Sequence, residues 1–128
     1  MASLFRAMRK NKSGLPDVGP HARALGVRPG TDVLATLPGD LVQPGLGGLS
    51  VSPGQAANLP YFRRPQQLGG TGKDPVWVID SSLLGSNLVY RPDPSTTTHG
   101  LIEPSKPMTL DDFQNAIAAT QTLWRQVP

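Results

Sequence analysis

The sequence predicts an α+β domain in which several short strands, separated by loops, precede one C-terminal amphipathic helix. Three observations lead there. Brief runs rich in β-branched and aromatic residues recur along the chain, the plainest being Val-Trp-Val-Ile-Asp at 76–80. From Leu110 to Trp124 mostly apolar positions return at steps of three and four, the period of a helix with one buried face. Between these runs, 14 Gly and 14 Pro among 128 residues interrupt the chain too often for long elements, while 38% hydrophobic residues still supply a core. The length suits one folded unit, residues 1–128.

Taken in order, residues 3–8 (Ser-Leu-Phe-Arg-Ala-Met) read as a strand ended by the basic, turn-prone stretch 9–14. Its alternation sets Leu4 and Arg6 on one face and Phe5 and Ala7 on the other. Residues 16–44 carry Pro and Gly at close intervals and are expected to be ordered loop, with a short helix over 21–25 stopped by Gly26. Residues 45–53 form a glycine turn running into a strand at 49–52, where the backbone can approach a ligand closely. Strands follow at 76–80 and 87–91, joined by a polar Ser/Gly connection, and again at 99–104. The helix opens at Thr109, an N-cap with Asp112 three residues on. Leu110, Phe113, Ile117, Thr120 and Trp124 draw its core-facing stripe.

The composition excludes several chemistries. Without cysteine there are no disulfides, no thiolate metal site and no cysteine nucleophile, and a reducing cytosol costs the fold nothing. His21 and His99 are the only histidines and stand in no zinc-binding spacing, so no metal is expected. The first twelve residues lack the apolar run of a secretory signal peptide, and no segment reaches membrane-spanning length. A net charge of +3 favours an anionic partner. Residues 69–74 (Gly-Gly-Thr-Gly-Lys-Asp) miss a phosphate-binding loop, because Gln67 stands at its first glycine and Asp74 where Ser or Thr must hold magnesium. Gly45 and Gly47 likewise lack the third glycine of a dinucleotide fingerprint, which is Ser50. Tyr61-Phe62-Arg63-Arg64 is the one place where aromatic and basic residues interleave, a weak nucleic-acid signal.

What remains is an ordered series. It comprises Leu-Phe-Arg-Ala at 4–7, Gly-Pro-x-Ala-Arg-x-Leu-Gly-Val-Arg-Pro at 19–29, and Gly-Gly-Leu-Ser-Val-Ser-Pro at 47–53. Leu-Pro at 59–60, Tyr-Arg-Pro-Asp at 90–93, Thr-His-Gly-Leu-Ile-Glu-Pro at 98–104 and the closing helix with Phe113 and Trp124 complete it. In these features the chain resembles the type VI secretion effector-two toxins, small bacterial proteins similar in fold to ADP-ribosyltransferases. The resemblance implies split antiparallel β-sheets around an NAD-sized cleft, with Arg6, Ser50 and His99 at that cleft. It further implies a toxin that acts in the cytoplasm of the producer or a target cell, reached by a specialised secretion system. NAD would serve as the substrate for ADP-ribosyl transfer to an acceptor or for hydrolysis. A cognate antitoxin or immunity protein that occludes the cleft is the implied partner.

The residue types suit that chemistry. A guanidinium stays charged and grips a phosphate through paired hydrogen bonds, so Arg6 is expected to anchor the NAD pyrophosphate. Gly48, Leu49 and Ser50 would line the cofactor, with the Ser50 hydroxyl orienting Arg6 or the nicotinamide ribose. Cleavage of the nicotinamide–ribose bond builds positive charge on the sugar, which a carboxylate stabilises, and Glu103 is the only glutamate. His99, four residues earlier, lies on the same strand face at about 13 Å and can hydrogen-bond a ribose hydroxyl. ADP-ribosyltransferases of the Arg-Ser-Glu type carry Glu or Gln two residues before the glutamate, where this chain has Leu101. Either Glu103 works alone, His99 takes over orientation, or transfer is inefficient. The alternative function is a non-catalytic toxin that binds a nucleotide, RNA or protein through the same cleft.

Overall fold

The computed structural model describes Met1–Pro128. Strand β1 (Ser3–Ala7) runs between two antiparallel neighbours, β3 (Leu49–Pro53) and β4 (Val76–Asp80). Beyond β3 lie β6 (Gly100–Pro104) and the edge strand β5 (Leu88–Pro92); beyond β4 lies the two-residue β8 (Arg125–Gln126). The resulting six-stranded sheet has the order β5-β6-β3-β1-β4-β8. A separate two-stranded ribbon joins β2 (Leu41–Val42) to β7 (Met108–Thr109), which leads into helix α1 (Leu110–Ala118).

The core follows from strand alternation. Leu4 faces Ile79 and Arg6 faces Trp77 across the β1–β4 ladder, while Leu49 faces Ile102 across β3–β6. These apolar residues gather with Val51, Leu88 and the α1 residues Leu110, Phe113 and Ile117 in one buried cluster. Thr109 caps α1 by accepting the Asp112 backbone N–H, as its sequence position predicts. The expected stripe is core throughout, but the helix ends at Ala118. Thr120 and Trp124 reach the core from a turn beyond it, where the Trp124 indole donates to the Thr120 hydroxyl at 3.0 Å.

The helix expected over 21–25 does not form. Gly19 and Pro20 turn the chain sharply, Gly19 N–H binds the Leu25 carbonyl, and Leu25 N–H binds that of Asp17. The carbonyls of Ala22 and Ala24 are aimed at the Arg6 side chain instead of up a helix. The expected split is a fork within the six-stranded sheet, beside the separate two-stranded ribbon. β1 pairs with β4 over its whole length but with β3 only at Leu4–Pro53 and Phe5–Ser52. Past that point β3 continues beside β6 while β1 stays with β4, and the gap between them is where the chain places Arg6. No helix is long and apolar enough to cross a membrane.

Candidate active site

Arg6 is 7% exposed and spends its guanidinium on the protein backbone. Nε donates to the Ala24 carbonyl at 3.2 Å, and one terminal nitrogen donates to Ala24 at 2.9 Å and Ala22 at 3.2 Å. The other donates to the Ser50 carbonyl at 2.8 Å. A side chain thus supplies a donor across the fork where β1 and β3 no longer pair, and it ties the 22–24 turn to both strands. Burial pushes the guanidinium down to about 10, against the pull of Asp32 and with the added push of Arg63 and Arg28. It is still protonated at neutral pH.

A cavity of about 240 Å³ opens in this fork. Arg6, Ser50 and His99 all line it, so three residues remote in sequence meet there. Ser50 is exposed, and its hydroxyl has no protein partner. Nδ1 of His99 lies 3.3 Å from a carboxylate oxygen of Asp93. That carboxylate also accepts from the Ser95 hydroxyl and backbone, which together with His99 hold its pKa below the usual value. The Asp93 contact orients the imidazole in the way that a carboxylate fixes a histidine tautomer, leaving Nε2 without a protein partner.

Residues outside the sequence-derived set complete the lining. Phe5, Leu59, Pro60 and Phe62 give it an apolar side; Arg28, Arg63 and Asp32 give it charge, alongside Arg6. Asp32 is held by Arg28, whose Nε and terminal nitrogen donate at 3.1 and 2.9 Å, and the Arg28 backbone N–H adds a bond at 2.7 Å. Three arginines against one aspartate leave the cavity positive, suited to a phosphorylated ligand. Asp32 sits in an irregular loop with no motif around it. The only sequence signal for its pairing is the spacing of four from Arg28.

Gly48, Leu49 and Glu103 do not line the cavity. Leu49 is in the hydrophobic core. The glycines admit protein, not a ligand: a side chain on Gly47 would collide with the Asp32 carbonyl and one on Gly48 with that of Ile102. Glu103 is 2% exposed. One of its oxygens accepts from Arg91 Nε at 2.6 Å and from the Gly45 backbone at 3.0 Å. It fastens β5 and the glycine turn to β6, and the extended strand separates it from His99. The cavity is also smaller than the NAD-sized cleft implied by resemblance, because Arg6 fills the fork. It lies below the roughly 300–1,000 Å³ of ordinary ligand pockets. No three His, Asp or Glu side chains are grouped to hold a metal ion.

Comparison with known proteins gives one family. The model of the family described as Tse2 ADP-ribosyltransferase toxin matches residues 2–124, nearly the whole chain. No curated protein and no solved structure gives a significant match.

Proposed function

The chain belongs to the Tse2 ADP-ribosyltransferase toxin family, and from that membership we propose that it takes NAD as substrate in the cavity of the forked sheet, transferring ADP-ribose or hydrolysing the dinucleotide. The convergence of Arg6, Ser50 and His99 on one positive cavity is the observation that carries this reading. The cavity accommodates part of a dinucleotide. Its apolar side suits the nicotinamide ring, and Arg28 and Arg63, whose side chains are partly exposed, are the arginines available to a pyrophosphate. Arg6, already bound to three carbonyls, contributes its charge and the shape of the fork.

In this reading NAD supplies a ribose carbon from which nicotinamide departs. Ser50 positions the ribose through its free hydroxyl. His99, braced by Asp93, hydrogen-bonds a ribose hydroxyl or takes the proton released by the incoming nucleophile. Asp32 is the carboxylate at the cavity and the group best placed to stabilise positive charge on the sugar. Glu103 braces the strands from outside. The site of action is a cytoplasm, reached through a specialised secretion system, and an immunity protein with an acidic contact surface covers the mouth.

A second reading, capture of a target without turnover, draws on one observation: the only glutamate is sequestered by Arg91 away from the cavity. Induced expression in a bacterial host, with growth and intracellular NAD followed together, separates the two. Growth arrest with NAD loss, relieved by His99→Ala, supports consumption of the dinucleotide. Arrest with unchanged NAD supports sparse transfer or capture, and no arrest contradicts both.

A further inference from the structure

The loop after Leu59 contributes Pro60, Phe62 and Arg63 to the cavity lining. At its tip Tyr61 and Phe62 are 59% and 65% exposed, aromatic surface that folded chains ordinarily cover. The Arg63 guanidinium lies 5.3 Å from the centre of the Phe62 ring, and that of Arg64 lies 6.0 Å from the centre of Tyr61. Cations and rings therefore share one ridge.

The ridge is built to hold its shape. The Arg63 and Arg64 N–H groups both donate to the Pro60 carbonyl, at 2.9 and 2.8 Å. Thr71 N–H returns to the Tyr61 carbonyl at 3.0 Å and Gly72 N–H to that of Arg64 at 2.7 Å. Gly70 lies so close to the Arg64 carbonyl that no side chain fits there. Charge follows the same pattern: no Asp or Glu occurs between Asp40 and Asp74, a stretch that contains Arg63, Arg64 and Lys73.

We infer that this ridge binds single-stranded nucleic acid and presents it to the cavity as the acceptor of ADP-ribose, an inference that rests on the proposed use of NAD. Bases have two flat faces that stack on exposed rings, and the arginines beside the rings meet the phosphates. A duplex keeps those faces stacked on one another and offers the rings nothing. An acidic protein competes for the same arginines, and polyglutamate stands for it as a competitor. Because Phe62 and Arg63 belong to both ridge and cavity lining, a strand bound on one abuts the other. In the transfer, the bond between the nicotinamide nitrogen and the ribose carbon breaks and nicotinamide leaves with the electron pair. A base nitrogen or exocyclic oxygen of the strand forms the new bond to that carbon, and the proton it sheds passes by way of His99 to solvent.

The test uses the full chain and a fluorescein-labelled oligothymidylate, with anisotropy read without NAD and compared with a duplex of equal length. The single strand is expected to bind more tightly than the duplex. Tyr61→Ala and Phe62→Ala, both at exposed positions, are expected to weaken it roughly 5- to 100-fold each, while Phe62→Tyr keeps the affinity. Arg64→Ala lowers the slope of log affinity against log salt by about 0.7. With NAD present, the unlabelled strand should gain the mass of one ADP-ribose. No binding, alanine variants at wild-type affinity, or equal displacement by polyglutamate at equal charge overturns the ridge as a strand-binding surface. NAD binding measured on the same protein separates the two claims. NAD bound without the strand sinks the ridge alone, whereas strand bound without NAD sinks the reading of the cavity and the acceptor role with it.

Discussion

Arg6 carries two kinds of consequence. Its charged hydrogen bonds hold three carbonyls, the Ala24 one buried, and an unpaired buried polar group costs about 1–3 kcal/mol. Arg6→Ala is expected to lose about 2–4 kcal/mol in urea denaturation. Arg6→Lys recovers only part of that, since one ammonium cannot span the Ala22, Ala24 and Ser50 carbonyls. Loss of function in Arg6→Ala would therefore report the fold as much as the site. Ser50→Ala and His99→Ala change exposed or half-buried groups and are expected to stay within about 0.5 kcal/mol of the parent, which makes them the sharper probes. Asp74 provides the acid-side test. Its bidentate contact with Arg23, at 2.6 and 2.7 Å, holds its carboxyl below the ordinary 3.8. A carboxyl lowered on folding stabilises fully above its unfolded pKa and loses that stabilisation as pH falls through the folded value. Urea midpoints of the parent and Asp74→Asn are therefore expected to differ at pH 6 and to converge as pH falls through the lowered folded value; a constant difference would show that the ion pair contributes nothing.

Among the elements, the five-residue strands β1, β3, β4, β5 and β6 and helix α1 were legible because their signals are local: β-branched runs, a three-and-four apolar period, and a Thr N-cap; the two-residue β8 was not. The ribbon of β2 and β7 was not, since two residues on each side carry no period, and the pairing spans residues 41 and 109. The expected 21–25 helix failed because the Leu25 N–H, its donor to the His21 carbonyl, pairs with the Asp17 carbonyl instead. The glycine turn was legible as a turn, but its purpose was not. Gly47 has a φ of +114° and abuts the Asp32 carbonyl. Gly47→Ala is expected to cost about 2 kcal/mol or more, from backbone strain plus displacement of the Asp32 loop. Gly39→Ala, where a side chain meets open space, should stay within about 0.5 kcal/mol by the same urea measurement. Helix docking has its own test in Phe113, which is fully buried. Phe113→Ala is expected to lose about 3–5 kcal/mol, a large share of an ordinary domain's 5–15 kcal/mol, and thermal unfolding should show it.

At the scale of the molecule, the six-stranded antiparallel sheet is parted at one seam, and the seam supplies the cavity. Arg6, Ser50 and His99 were legible as a set because their surrounding motifs resemble a family pattern, and the structure brings them to one place. Asp32, Arg28 and Phe62 were not legible as site residues: they come from irregular loops, whose positions are set by the fold and not by any local period. Glu103 shows the converse, a residue whose chemistry fits the reaction but whose side chain is committed to Arg91 and Gly45. The proposed function requires that NAD reacts at this seam. The most direct test is nicotinamide release from NAD by the purified protein, followed by chromatography for the parent, Ser50→Ala and His99→Ala, with folding verified by thermal unfolding. Release by the parent is expected, with a drop of roughly 100-fold or more in folded His99→Ala and Ser50→Ala also impaired. Release at the parental rate in both folded variants, or NAD left unbound and intact by the parent, would contradict the proposed function.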